Sequence, residues 1–532
     1  METRMLKSLM VGCLLVLGGL SAASAQDVPT AQAVARRDAA GVTVHYRLPA
    51  PVRRAVFANR DTIRDLWTVT TPGLTLTDGA VAGDAPFDSF DLQIRPDAAE
   101  VDRVYMGLST AGDGRVIYGP GLMIQGTRTV LSVETAPGED SLPQSGQIDG
   151  YSYVGPAADV TQDGAASLAI GSNVPPELAQ TLRQTFFGAL EFYHDRLGLD
   201  LSFRPTLVGS IDSPGPYGFR GDVTDTGLIS VRFHGDTWRE EIDLVGPFVW
   251  HEAFHLWNGH GIGLREGDQV PWLHEGGAEY AAVVGSVSTG GMSEATARTN
   301  LIRRVNGCRR VLGARDMDPA RLRSGNGPYD CGVLIQWLAD LEARKAGTGD
   351  VFTLWRAMLT AARTSPDGYG VSDFRALLQP DSAVAGLLDG PGATRWATIK
   401  ARLAELGVTI ENQPQDKDFM GAALFHVGGR NCRSSYGFFD DPGALKLDGA
   451  ECGALSGEPI IDTVEGQNPQ TAGRAMFDAV QARCAQGLTV RYATRDGRIL
   501  EAVCDRPLET PEVWAIADAP ALAIQAESAR LL

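Results

Sequence analysis

Past residue 20 the chain has no apolar run long enough to cross a membrane, which excludes a later helical span. Positive charge is also short: 47 Lys and Arg face 65 Asp and Glu, for a net charge of −18. That balance argues against nucleic acid or an anionic membrane as partner and favours solubility. Cysteine is sparse, at seven residues in 532, and none of it falls in C-x-x-C spacing. A cysteine-ligated metal site therefore has no support. No internal repeat and no extended low-complexity tract is present, which sets aside a repeat array.

What is there begins with a leader. Arg4 and Lys7 precede an apolar run from Leu9 to Leu20, and Ala23-Ser24-Ala25 precedes Gln26. Charge, apolar core and small residues in that order predict a secretory signal peptide over 1–25, cleaved near Ala25–Gln26. The chain is thus expected to be exported, periplasmic or secreted. A lipoprotein signal at Cys13 is the weaker alternative, because only a few apolar residues precede it. Losing the leader removes Arg4 and Lys7 against Glu2, so the remainder is one charge more negative. Six cysteines then remain, an even number that suggests three disulfides in an exported chain. Of fifteen possible pairings, the sequential one is favoured: Cys308–Cys331, Cys432–Cys452 and Cys484–Cys504.

Hydrophobic content of 44% and charged content of 21% are those of a globular protein, and the length calls for several domains. Residues 26–165 carry short β-type runs, such as Val42–Leu48 and Thr127–Val133, broken by Gly, Pro and Asp. They predict a β-sandwich-like domain in which His45 is a strand residue. A helix is expected from Pro176 to Tyr193, then strands at Thr206–Ser210 and Gly227–Phe233 with a glycine-rich loop between them. Helical patterns fill 276–408. After a linker near Gln413–Lys417, a third domain over 411–532 holds a hairpin signal around Asp496-Gly497.

The chemistry concentrates in Val249-Trp250-His251-Glu252-Ala253-Phe254-His255-Leu256-Trp257-Asn258 and in Pro271-Trp272-Leu273-His274-Glu275-Gly276-Gly277-Ala278-Glu279-Tyr280. On a helix, residues four apart share a face, so His251 and His255 can offer two imidazole nitrogens to one ion. Glu275 is placed to be the third ligand of a single Zn²⁺ per chain, and Glu252 sits beside the open position as general base. Leu244, Val245 and Phe248 make this helix face apolar, where unpaired histidines would be costly. Glu279, one turn beyond Glu275, is either a hydrogen-bond acceptor for a ligand histidine or a solvated carboxylate. Tyr329, in Gly325-Asn326-Gly327-Pro328-Tyr329-Asp330-Cys331-Gly332 at a helix start, is a candidate oxyanion donor, although most tyrosines simply pack. His274 could line the pocket. His260 reads as a loop residue and His234 stays open.

Taken together, His251-Glu252-x-x-His255-x-Trp257-Asn258, Trp272-Leu273-x-Glu275-Gly276-x-Ala278-x-Tyr280 and Pro328-Tyr329-x-x-Gly332 resemble the gluzincin metallopeptidases. The pattern is similar to the aminopeptidase N family and, through its H-x-W-N ending, to the glycyl aminopeptidase-like family. The resemblance implies zinc on His251, His255 and Glu275, Glu252 as base and Tyr329 as transition-state stabiliser. It implies a multidomain α+β fold: a β-sandwich-like domain, a thermolysin-like, mainly helical catalytic domain over 166–410, and a C-terminal PDZ-like domain. Residues 453–466 resemble the interior of a PDZ-like module. The expected partner is a peptide or protein substrate.

The chain also departs from the pattern. The aminopeptidases carry Gly-x-Met-Glu-Asn before the metal helix, with a Glu for the substrate amine. Here Gly227-Leu228-Ile229 occupies about that position, with no glutamate between 205 and 238 and with Asp222 and Asp225 as the nearest carboxylates. Cys331 stands where the family has a Lys. Exopeptidase specificity is thereby left open, while the Gly227–Ile229 strand is expected to pair its edge with an extended peptide. The reading from another class is an inactive peptide-binding or scaffolding protein acting through the PDZ-like domain. Retention of Glu252 argues against it, since a dead site has no chemical need for a base.

Overall fold

The computed structural model describes residues 28–524, apart from 102–103, 144–149, 165, 213, 216–217, 224–226, 237, 313–321, 324 and 390–391. The leader over 1–25 and Asp225 lie outside the described residues. Two compact units result, one of residues up to 159 with 213–216, the other of 160–212 and 217 onward.

The first unit follows from two-residue periodicity. In strand Thr30–Arg37 burial alternates, with Ala31, Ala33 and Ala35 fully inward. That strand pairs antiparallel with Val42–Val56 and parallel with Arg128–Glu134 in a six-stranded sheet. A second, four-stranded sheet contains Leu108–Ala111, Gly114–Tyr118, Glu139–Leu142 and Tyr151–Pro156. Both sheets feed one apolar core, where Tyr46, Phe90 and Leu131 of the first meet Ile117 and Val154 of the second.

The second unit is built on a five-stranded sheet in the order Val160–Asp163, Ala166–Ile170, Thr206–Ile211, Leu228–Phe233, Phe219–Val223. The three inner strands run parallel and both edges antiparallel. Helix α1 (Pro176–Leu197) makes the first crossover; it starts with Pro176 in its first turn and stops at left-handed Gly198. Its Leu178, Leu182, Phe186, Ala189, Tyr193 and Leu197 recur every three or four residues and are buried. Then follow α2 (Trp238–His255), α3 (Pro271–Ser288), α4 (Glu294–Leu312), α5 (Gly327–Ala346), α6 (Val351–Ala362), α7 (Val371–Leu377), α8 (Ala383–Asp389) and α9 (Gly392–Glu405).

Glycines let these helices approach closely. A Cβ on Gly276 of α3 would lie 2.2 Å from Gly332 Cα of α5, so the two backbones touch there. Gly277 and Gly285 give the same clearance to the rings of Trp355 and Trp250.

Further along, α10 (Asp416–Asn431) and α11 (Gly473–Ala485) cover a five-stranded antiparallel sheet over residues 437–502, with its own core around Phe419, Leu447, Phe477 and Tyr492. Three disulfides close: Cys308–Cys331 between α4 and α5, then Cys432–Cys452 and Cys484–Cys504 around this sheet. The last strand, Trp514–Asp518, returns to pair with Thr409–Asn412. Among the described residues no helix is long and apolar enough to cross a membrane.

Candidate metal centre and active site

Helix α2 presents the paired histidines. Pro247 lies inside it, one turn before His251, and cannot donate to the carbonyl four residues earlier. At its end the helix widens into a π-turn over Leu256–Gly261. This turn swings Asn258, fully buried, back toward His255. His255 Nδ1 lies 2.9 Å from Asn258 Oδ1, and Asn258 Nδ2 donates to the His274 carbonyl at 3.0 Å. Nδ1 of His255 is thus a donor, and Nε2 is left with its lone pair for a ligand.

From α3, Glu275 Oε2 reaches 3.1 Å from His251 Nε2 and 3.4 Å from His255 Nε2, while the two Nε2 atoms stand 3.0 Å apart. A tetrahedral zinc with ligand bonds of about 2.0–2.1 Å sets its ligand atoms about 3.3 Å apart. The three atoms therefore fit one ion, and among the described residues this is the one His/Cys/Asp/Glu group that could hold a metal.

The electrostatics agree with that fit. Burial disfavours a charged His251, yet the close carboxylates of Glu275, Glu279 and Glu252 outweigh it and raise its pKa to about 10. A cluster this rich in carboxylate favours positive charge at its focus. Burial opposes ionised Glu275 as well, but the two histidines hold it well below the ordinary carboxylate range. Glu279 is drawn down to about 2, against burial, by His251 and Arg304. Its Oε2 stands 3.2 Å from His251 Nδ1, so Glu279 faces the Nδ1 side of His251 as Asn258 faces that of His255.

Glu252, next to His251, has its pKa raised by burial, with the charges of Glu275 and Asp222 adding to it and the histidines opposing. The Tyr329 ring lies 6.0 Å from that of His251. Burial and the charges of Glu275, Glu252 and Glu279 push its hydroxyl above its ordinary range, so it remains a donor. His274 stacks on His255 with centroids 4.1 Å apart, and its Nδ1 lies 3.0 Å from the Asn258 carbonyl. Burial and the neighbouring His255 lower its pKa to about 3, leaving it neutral. His234 and His260 lie outside the ligand group.

Of the expected edge residues Gly227, Leu228 and Ile229, the last is paired on both sides. From Ile229 to Phe233 the strand Leu228–Phe233 pairs with Thr206–Ile211 on one side and Phe219–Val223 on the other, so this stretch offers no free edge. The edge belongs to Phe219–Val223, whose Gly221 lies against Phe248 of α2, one turn before Glu252. Asp222 on that edge is held by Arg232 at 3.1 Å and Arg220 at 3.7 Å. The sequence hid this strand behind its glycines and prolines.

The arrangement has the fold of an aminopeptidase-like protein: a β-rich unit followed by a five-stranded sheet and helices that bring H-E-x-x-H against a Glu-bearing helix. Among solved structures the chain is similar to the aminopeptidase N family protein from Idiomarina loihiensis, at 14% identity and TM-score 0.55 over 92% of this chain and 98% of that one. Legionella pneumophila aminopeptidase A in complex with aspartic acid aligns at 13% identity and TM-score 0.36 over 73% of this chain and 51% of that chain, too loosely to bear on the fold. No protein-family model and no curated protein matches the sequence.

Proposed function

We propose that this chain is an exported, zinc-dependent peptidase that hydrolyses peptide bonds in peptide or protein substrates. The observation that supports it is the 3.0–3.4 Å triangle of His251 Nε2, His255 Nε2 and Glu275 Oε2, with Glu252 and Tyr329 beside it. Zinc bound there would supply Lewis acidity and water with a pKa near about 7. Glu252 takes the proton from the attacking water and returns it to the leaving amine. Tyr329 donates a hydrogen bond to the oxygen that gains charge. Glu279 and Asn258 keep both imidazoles turned with Nε2 toward the substrate side.

The test is mass-spectrometric profiling of peptides with free and with acetylated N-termini, with zinc content measured in parallel. Wild type should bind one zinc and cleave, whereas Glu252→Gln should keep the zinc and lose at least about 10³-fold in rate. Stepwise loss from free ends alone would assign the amine anchor to the edge strand bearing Asp222. Internal cuts in both pools would show an endopeptidase. Zinc binding without cleavage in either pool would replace this reading with the peptide-binding one, with the 411–532 region as a PDZ-like binding domain.

A further inference from the structure

Outside the ligand group, one side chain reaches both Glu279 and the helix start that carries Tyr329. Arg304 lies on α4, a helix that contributes neither ligand nor base. One of its Nη atoms donates to Glu279 Oε1, the carboxylate whose other oxygen stands 3.2 Å from His251 Nδ1. The other Nη donates to Asp330 Oδ1 at 3.0 Å, in the first turn of α5. The guanidinium carbon sits 5.8 Å from the centroid of the Tyr329 ring. A single planar fork thus spans α3, which carries Glu275 and Glu279, and the helix start that carries Tyr329.

The surrounding packing fixes that fork. Gly307, one turn on, is so close to α5 that a Cβ there would lie 2.0 Å from Asp330 Oδ2. Cys308, four residues after Arg304, is bonded to Cys331, the residue after Asp330. The crosslink and the glycine set the distance between α4 and α5 that the guanidinium must bridge. Neither constraint serves the apolar core alone, because both fall where the charged residues meet.

We propose that Arg304 is a positioning residue that couples the orientation of His251, through Glu279, to the placement of Tyr329, through Asp330. The proposal rests on the zinc peptidase reading. It makes two separable demands on the arginine. Charge is enough to hold Glu279, whereas holding Asp330 and Tyr329 at the same time needs the fork.

Arg304→Met and Arg304→Lys in the full-length oxidised protein separate the two. Zinc affinity is measured by competition with a chromogenic chelator, and kcat and KM are measured separately at saturating zinc. Arg304→Met should bind zinc about 10- to 100-fold more weakly and lose kcat with KM nearly unchanged. Arg304→Lys should recover zinc affinity to within a few fold yet keep a depressed kcat. Wild-type zinc affinity and kcat in Arg304→Met would overturn the role of Arg304 alone. A parallel fall of thermal stability, zinc affinity and kcat in both variants would also overturn it, as mere structural damage. A wild type that binds no zinc would instead sink the peptidase reading on which the proposal stands.

Discussion

Glu279 and Asn258 stand in matching places: each carries an oxygen beside Nδ1 of a histidine whose Nε2 faces Glu275. Asn258→Ala should therefore weaken zinc binding about 10- to 100-fold with the fold intact, read by chelator competition beside circular dichroism. The charge pattern gives a second expectation. His251 has an ordinary value of 6.5 and a folded value of about 10 in the metal-free protein. A histidine whose pKa rises on folding contributes stability that is complete below 6.5 and lost as pH climbs through about 10. Chelator-stripped protein should accordingly melt at lower temperature as pH is raised from 6.5 toward 10, and added zinc should flatten the slope. A flat profile without metal would contradict the assigned charges. The meeting of His251 with His255 was legible because H-E-x-x-H is a local pattern. Asn258 stood in the same motif, yet its task depends on the π-turn that swings it back. Arg304 was not legible at all, since its partners lie 25 and 26 residues away.

Helix α3 shows how an element can be chosen for what it lacks. Its Gly276, Gly277 and Gly285 cost helix propensity, but they admit the α5 backbone and two tryptophan rings. Gly276→Ala should destabilise the protein by about 1–3 kcal/mol by overpacking, and kcat should fall with it because α3 carries Glu275 and α5 carries Tyr329. Chemical denaturation and steady-state kinetics check both. An unchanged midpoint would show that the helices separate at no cost. Element positions were mostly readable: the helix expected from Pro176 to Tyr193 occurs at Pro176–Leu197, and helices such as α5 and α6 occur within 276–408, where helical patterns were expected. The hairpin around Gly497 is present with Val490–Thr494 paired to Ile499–Ala502. The miss was Phe219–Val223, where Gly221 breaks the alternation because a ring occupies the space of its side chain. Without that strand the wrong segment became the sheet edge, since strand order is a tertiary property that no local pattern carries.

For the whole molecule, the disulfides span short segments of 23, 20 and 20 residues and tie neighbours rather than distant parts. Closing a loop of that size contributes about 3 kcal/mol in the chain-entropy account. Removing Cys484 and Cys504 together should lower the stability of the C-terminal sheet while leaving zinc affinity unchanged, as measured by calorimetry and chelator competition. The six-cysteine arithmetic made the crosslinks legible. The return of the chain end was not, because Trp514–Asp518 reads as one more short strand of the C-terminal region. It pairs instead with Thr409–Asn412, exchanges two hydrogen bonds between Trp514 and Asn306 of α4, and is followed by Ala519, whose carbonyl takes Arg298.

That returning strand sets an order in time. Synthesis delivers His251, Glu275 and Tyr329 more than 180 residues before Trp514. The helix bearing Arg304 is therefore braced through Asn306 only once Trp514 has been made.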